Sequence, residues 1–411
     1  MNLAGIKDNK SAMNAIYIGT LCSVAYLAVY FARSMLSAIA PQMIEYGYSE
    51  EYIGRMSSVY FMFYAVGQLI NGSIGDKVKV RYMMSVGLLM AAITNGLFCS
   101  LSENYAEVAI YVYGSSGFFL SMIFGPMTKV VAENTEPIYA TRCSIGYSFA
   151  ALFGSPVAGV AAALLVWQSA IYAGSFTLIL MSIICFVVFL VLEKKGIVRY
   201  NQYKREKSKG GSIKVLIKRG IIKFTVISIL TGIIRTTVVF WLPTYITQYL
   251  QFSPETSAIL YTVATLIISL TTFIAVFIFE KLKRNMDLTI LLLFISAAVF
   301  FMLLYLVMQP ALNIIFIVIA IMSSNGVATM LWSKYCPSLR DTGMVSGATG
   351  FLDFVSYMAA AASSTIFANA VSDIGWDNLI LVWFGLMAIG VLVSLPYNEI
   401  KQKCKNNRKD I

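Results

Sequence analysis

Apolar runs of about twenty residues recur along this chain from end to end, broken by short polar loops, and they decide what it can fold into. Each run is long enough to cross a hydrocarbon core of about 30 Å as a helix. Lipid offers a backbone no hydrogen-bond partners, so only helices or a closed barrel can span it. The runs here are continuous rather than alternating, which selects helices. Composition agrees: hydrophobic residues fill 58% of the 411 positions and charged residues 12%. A soluble domain carries roughly 25% charged residues, so this chain lacks the polar surface to face water all round. The expectation is an all-α polytopic membrane protein.

Reading the runs between charge clusters predicts spans near 14–40, 51–75, 82–101, 106–128, 143–166 and 168–192, then near 221–247, 256–279, 288–308, 311–333, 343–369 and 378–398. The polar stretch between the two sets is rich in lysine and arginine and holds Gly210 and Gly211 as a flexible joint. The expected organisation is therefore a six-helix half over 1–192, a basic linker over 193–220 and a second six-helix half over 221–411. The first run follows a short basic tail with Lys7 and Lys10 and is too long for a signal-peptide core, so it reads as a span. Six cysteines are scattered with no C-x-x-C pair, and histidine is absent, which removes any histidine proton relay or histidine-ligated metal.

Orientation follows from the basic residues. The two tails, alternate loops and the linker hold all but three of the 31 lysines and arginines. The opposite loops hold none, and carry Glu45, Glu50, Glu51, Glu103, Glu107, Glu255, Asp373 and Asp377 instead. We call these two sides the basic end and the acidic end. The expectation is a multi-pass protein of the cell (inner) membrane with both termini and the linker cytoplasmic. The net charge of +11 belongs to this asymmetry and implies no nucleic-acid partner. Short loops and no targeting peptide give the chain a bacterial look.

The two sets of spans repeat each other. Arg33 lies eight residues before Pro41 in the first span, and Arg235 eight before Pro243 in the seventh. Ser49 stands 27 residues before Asp76 and Lys77, as Ser253 does before Glu280 and Lys281. Trp167 and Trp376 open the sixth and twelfth spans. These spacings point to duplication.

Gly72, Gly75, Asp76 and Lys77, followed by Arg81, resemble the loop signature between the second and third helices of the major facilitator superfamily. Within it, several segments are similar to the organophosphate:phosphate antiporters, which include glycerol-3-phosphate and hexose-phosphate transporters. They are Tyr30 and Arg33 with Pro41; Tyr64 and Gly67 leading to Gly72; Arg235 with Trp241, Pro243 and Tyr245; Ser346, Gly347, Gly350 and Phe351 through Tyr357; and Gly375 with Trp376. The resemblance implies twelve transmembrane helices in two pseudo-symmetric six-helix bundles. It also implies a charge latch at Asp76, Lys77 and Arg81, and exchange of a phosphate ester against inorganic phosphate by alternating access.

Three basic residues fall within spans: Arg33, Arg55 and Arg235. Arg55 sits at the acidic end of the second span, where it can reach the interface or pair with Glu50 or Glu51. Arg33 and Arg235 sit deeper. An arginine at the membrane centre costs at least about 2.5–3.5 kcal/mol, so a retained pair needs a polar cavity. Arginine presents a planar fork of donors that fits phosphate and stays charged at any working pH. The pair is therefore expected to hold a small anion, a phosphate ester or inorganic phosphate. Tyr30 and Tyr64 lie about one turn from Arg33 and Gln68 and complete the expected binding set with Gln68, Asp353 and Tyr357. Tyr26, Trp241 and Tyr245 are further aromatic candidates.

Three departures from the family bear on substrate. Gln68 stands where many members place a lysine. The helix-5 histidine of the glycerol-phosphate branch is missing, with Tyr147, Ser148 or Phe149 in that neighbourhood. Asp353 puts an acid near mid-membrane, where it could pair with an arginine or with Lys334, and would lower the positive charge of the site. Two alternatives follow: a proton-coupled organic-anion symporter using Asp353, or a non-transporting sugar-phosphate sensor of the same fold. Nothing in the chain suggests an enzyme, a cofactor or a metal site. The partners expected are the anion and the lipid bilayer, and the chain is expected to act as a monomer.

Overall fold

The computed structural model describes residues 3–75, 78–200, 213–339 and 345–395. Asp76 and Lys77, and residues 201–212 of the linker, lie outside them. Nine stretches of the described residues are helices long and apolar enough to cross a membrane. The last of them is two helices, because Gly375 bends the run Val345–Ser394 with φ 76°, a left-handed conformation that suits glycine. Helices Glu50–Gly75 and Pro137–Leu164 are also of spanning length, at 26 and 28 residues, which brings the crossings to the twelve expected.

In chain order the helices are α1 (Leu3–Tyr46), α2 (Glu50–Gly75), α3 (Val80–Leu101), α4 (Ala106–Val131), α5 (Pro137–Leu164), α6 (Trp167–Lys194), α7 (Ile221–Gln248), α8 (Pro254–Lys281), α9 (Met286–Leu306), α10 (Pro310–Tyr335), α11 (345–374) and α12 (376–394). Two ends differ from the sequence reading. α1 begins at Leu3 and takes in the basic tail, and α5 begins at Pro137, some residues before the apolar run. Hydrophobicity marks where a helix enters lipid, whereas a proline in the first turn marks where it starts. The stretch 193–220 is likewise not all loop: α6 runs on to Lys194, and a short helix occupies Ile213–Lys218.

α1–α6 and α7–α12 form the two six-helix bundles. Within the first, α1 packs on α5 and α6, and α3 packs on α4 and α6; in the second, α9 packs on α10 and the α11–α12 run. The bundles meet along three helix pairs: α1 with α7, α2 with α11, and α5 with α8.

Among the described residues, the hydrogen bonds joining the bundles lie at mid-depth or towards the acidic end. Ser37 Oγ donates to the Phe240 carbonyl at 2.6 Å. Ser58 Oγ meets Thr365 Oγ1 at 2.7 Å and donates to the Ala361 carbonyl. Gln248 Nε2 donates to Glu50 Oε1 at 2.5 Å, and its own oxygen accepts from Trp376 Nε1 at 3.1 Å. α2 and α11 approach closely because Gly54 has no side chain: a Cβ there would stand 2.5 Å from Ala368 Cβ. The acidic end is thus closed by backbone-near packing and a polar clasp.

Candidate functional site

Between the bundles, at mid-depth, lies a cavity of about 140 Å³. Arg33 and Arg235 both line it, with Tyr30, Phe61 and Tyr357 and a ring of hydroxyls from Ser34, Ser37, Ser155, Thr236 and Tyr261. The volume equals the liquid share of four or five waters at ~30 Å³ each, which admits a phosphate-sized group. Anything larger requires the surrounding rings to move.

The two arginines are held differently. Arg33 sits on α1 inside a cage of aromatic rings: its guanidinium carbon is 4.9 Å from the centroids of Tyr64 and Tyr357, 5.3 Å from Tyr30 and 5.6 Å from Phe61. Such contacts offset part of the cost of burying the cation. Its Nη1 also donates to the Tyr357 hydroxyl at 3.1 Å. Arg235 lies with its guanidinium carbon 5.8 Å from the centroid of the Tyr357 ring, and its Nη2 is buried without a partner among the described residues. A buried unpaired donor on a charged group is costly, and Arg235 is one of the residues that line the cavity. Tyr357 is therefore within reach of both cations, one on each bundle.

Helix geometry breaks the expected symmetry of the pair. Arg235 lies in a π-helical turn, Ile233–Val238, whereas the matching stretch of α1 is α-helical. A π turn closes over one more residue than an α turn and is frequent at functional positions. The equal spacing to Pro41 and Pro243 therefore hides a different angular setting of the two side chains.

The other expected residues divide. Tyr30, Tyr64 and Tyr357 come together around Arg33, although Tyr64 reaches it from α2 rather than serving Gln68. Gln68 is half-buried and does not line the cavity. Asp353, also half-buried, lies within electrostatic reach of Arg235 and, more weakly, of Arg33. It closes no ion pair with either among the described residues. The pairing with Lys334 does not form: Lys334 lies in a second π-helical turn, Leu331–Tyr335, with its ammonium 4.9 Å from the Phe279 ring. Trp241 and Tyr245 are packing residues. Trp241 is fully buried against Phe240, and the Tyr245 hydroxyl donates to Asn313 Oδ1 at 2.7 Å. Tyr26 stacks edge-on to Tyr30, one step below the cavity. Ser34, Ser37, Ser155, Thr236 and Tyr261 were not singled out from sequence. Gly154 packs directly on Tyr30, which sets α5 against α1 and brings Ser155 within 2.7 Å of Ser34.

Arg55 pairs with neither Glu50 nor Glu51. It forms a two-pronged ion pair with Glu107 of α4, at 2.9 and 2.6 Å, because the packing of α2 on α4 brings that carboxylate alongside it. Of the latch residues, Asp76 and Lys77 lie outside the described residues. Arg81 is buried and clamps α3 to α6 by an ion pair to Glu193 at 3.0 Å, and Tyr200 donates to the same carboxylate at 2.6 Å.

A family model described as Major Facilitator Superfamily matches residues 22–364. The glycerol-3-phosphate transporter of Bacillus subtilis (strain 168) is 23% identical over 420 residues, covering 94% of this chain and 93% of the relative. The membrane sensor protein UhpC of Escherichia coli (strain K12) is 28% identical over 90 residues, 22% of this chain and 20% of the relative. Among solved structures, that of a D-xylose-proton symporter superposes with a TM-score of 0.71 over 92% of this chain and 96% of its own, at 12% identity. That likeness concerns the fold alone.

Proposed function

The chain belongs to the major facilitator superfamily, and from that premise we propose that it carries an organic phosphate or related anion across the membrane in exchange for inorganic phosphate. The observation that carries the proposal is the pair Arg33 and Arg235, one from each bundle, lining a single cavity at mid-depth. The full-length similarity to a glycerol-3-phosphate transporter supports the same substrate class.

In this reading the termini and the basic end are cytoplasmic, and the protein works as a monomer in the cell membrane. The boundaries 1–192, 193–220 and 221–411 delimit two halves that rock about the site. Phosphate enters between Arg33 and Arg235 and replaces the Tyr357 hydroxyl as the partner of Arg33. A dianion turns the mutual repulsion of two cations into attraction towards one centre, and that differential energy draws the halves together. With no anion bound the cations resist approach, so return of the empty carrier is slow and exchange prevails over leak. Asp353 tempers the positive charge. Asp76, Lys77 and Arg81 act as the cytoplasmic latch, in which Arg81 holds α3 to α6.

The test is counterflow in proteoliposomes preloaded with phosphate, against a panel of phosphate esters and carboxylates. Phosphate esters should exchange and carboxylates should not. Arg33→Gln and Arg235→Gln should each cut exchange about ten- to a hundredfold, the value of one charge-assisted hydrogen bond of about 1.5–3 kcal/mol. Substantial exchange by either variant would refute the assignment.

A second reading rests on the UhpC similarity: a sensor that binds sugar phosphate without moving it. Saturable binding with no flux in the same liposomes would select it. Uptake driven by a pH gradient without any counter-anion would instead select proton coupling through Asp353.

A further inference from the structure

We propose that Arg142 marks a second anion site, at the basic mouth of the pathway, where inorganic phosphate or a phosphate ester docks before reaching Arg33 and Arg235. The proposal rests on the transport reading above. A groove of about 410 Å³ opens between α1 and the start of α5, lined by Ile16, Thr20 and Ser23 from α1 and by Tyr139, Arg142 and Gly146 from α5. It is a separate space from the central cavity and shares no lining residue with it.

The two spaces nevertheless lie on one track. Ile16, Thr20 and Ser23 are followed on α1, at steps that keep to one helix face, by Tyr30, Ser34 and Ser37. The first three line the groove and the last three line the cavity. Ser23 stands ten residues before Arg33, which is about 15 Å along the helix axis. Between the two spaces sit Tyr26 and Tyr30, with ring centroids 4.9 Å apart, and Tyr147 of α5, 6.2 Å from Tyr26. The bundle-joining hydrogen bonds described above all lie on the far side of this layer, so the groove is on the side where the halves are not clasped.

Arg142 is the distinctive residue of the groove. It is exposed, its guanidinium lies 5.6 Å from the Tyr139 ring, and no carboxylate pairs with it among the described residues. An arginine already braced on a ring presents its fork of donors with little ordering left to do. Thr20 and Ser23 supply hydroxyls opposite it, suited to phosphate oxygens or to an ester's own hydroxyls. A fixed cation at a mouth raises the local anion concentration and the entry rate. The site acts on entry and release at this face and takes no part in the central coordination.

Exchange in membrane vesicles of each orientation, with phosphate as the probe, tests this. Arg142→Gln should raise the half-saturating phosphate at the basic face about three- to tenfold, with the opposite face and the maximal rate unchanged. Arg142→Lys, which keeps the charge and loses the fork, should restore only part of the loss, and the wild-type advantage should shrink as ionic strength rises. Unchanged half-saturation, or an equal rise at both faces, would overturn the proposal. So would an effect seen in vesicles of anionic lipid and absent in phosphatidylcholine vesicles, which would make the groove a lipid head-group site. If the wild type itself exchanges no phosphate, the transport reading falls and this one with it; exchange with symmetric Arg142→Gln kinetics removes this one alone.

Discussion

Arg33 and Arg235 are the same side chain, each eight residues before a proline, yet their surroundings differ. Arg33 is already satisfied by four rings and the Tyr357 hydroxyl, whereas Arg235 keeps a buried nitrogen without a partner among the described residues. Lysine in place of Arg235 keeps the charge and loses the fork, so Arg235→Lys should weaken phosphate more than Arg33→Lys does, measured as half-saturation in counterflow. Tyr357→Phe removes the hydroxyl that occupies Arg33 in the empty site. It should tighten inorganic phosphate while leaving the ring contacts intact, which binding by isothermal titration checks. Asp353→Asn removes the negative charge felt by both arginines and should shift preference towards dianions over monoanions across the substrate panel. At this scale the pair was legible because a charge inside an apolar run is conspicuous. The hydroxyls of Ser34, Ser37, Ser155 and Thr236 were not, because serine and threonine are common in membrane helices, where most of them bond to their own backbone. The acid that Arg55 takes was not legible, because sequence proximity favours Glu50 and Glu51, whereas the bundle brings Glu107 of another helix to it.

At the scale of elements, polar contacts differ in worth by their burial. The Arg81–Glu193 pair, with side chains 9% and 14% exposed, ties α3 to α6, while Arg55–Glu107, at 38% and 66%, faces solvent. Glu193→Ala leaves a buried cation unpaired and should cost about 3–5 kcal/mol. Glu107→Ala should cost under about 1 kcal/mol. Thermal unfolding of the two variants in detergent would order them, and equal shifts would contradict the burial argument. The helices themselves were readable from apolar length, and their number came out as expected. Their true starts were not: α1 and α5 extend beyond the lipid-facing run, where Lys7, Lys10 and Arg142 say nothing against a helix. The π turn around Arg235 was also hidden, because equal spacing to a proline carries no information on helical pitch.

The whole molecule is two six-helix bundles clasped at the acidic end by Gly54 against Ala368 and by the Glu50, Gln248 and Trp376 chain. Alternating access requires this clasp to open. Gly54→Leu should prevent the observed closure, abolishing exchange while phosphate binding survives, and cysteine accessibility along α2 and α11 would register the splayed acidic end. The all-helical plan of twelve crossings was legible from the apolar runs and the charged loops between them. The closure was not, since it depends on which small residues of α2 and α11 meet. The most direct test of the central claim is efflux from liposomes loaded with radiolabelled phosphate. On the proposed exchange, the liposomes should retain their label in anion-free medium, release it when phosphate or a phosphate ester is supplied outside, and lose that release in Arg235→Gln. Equal efflux into both media, or release undiminished in Arg235→Gln, would contradict it.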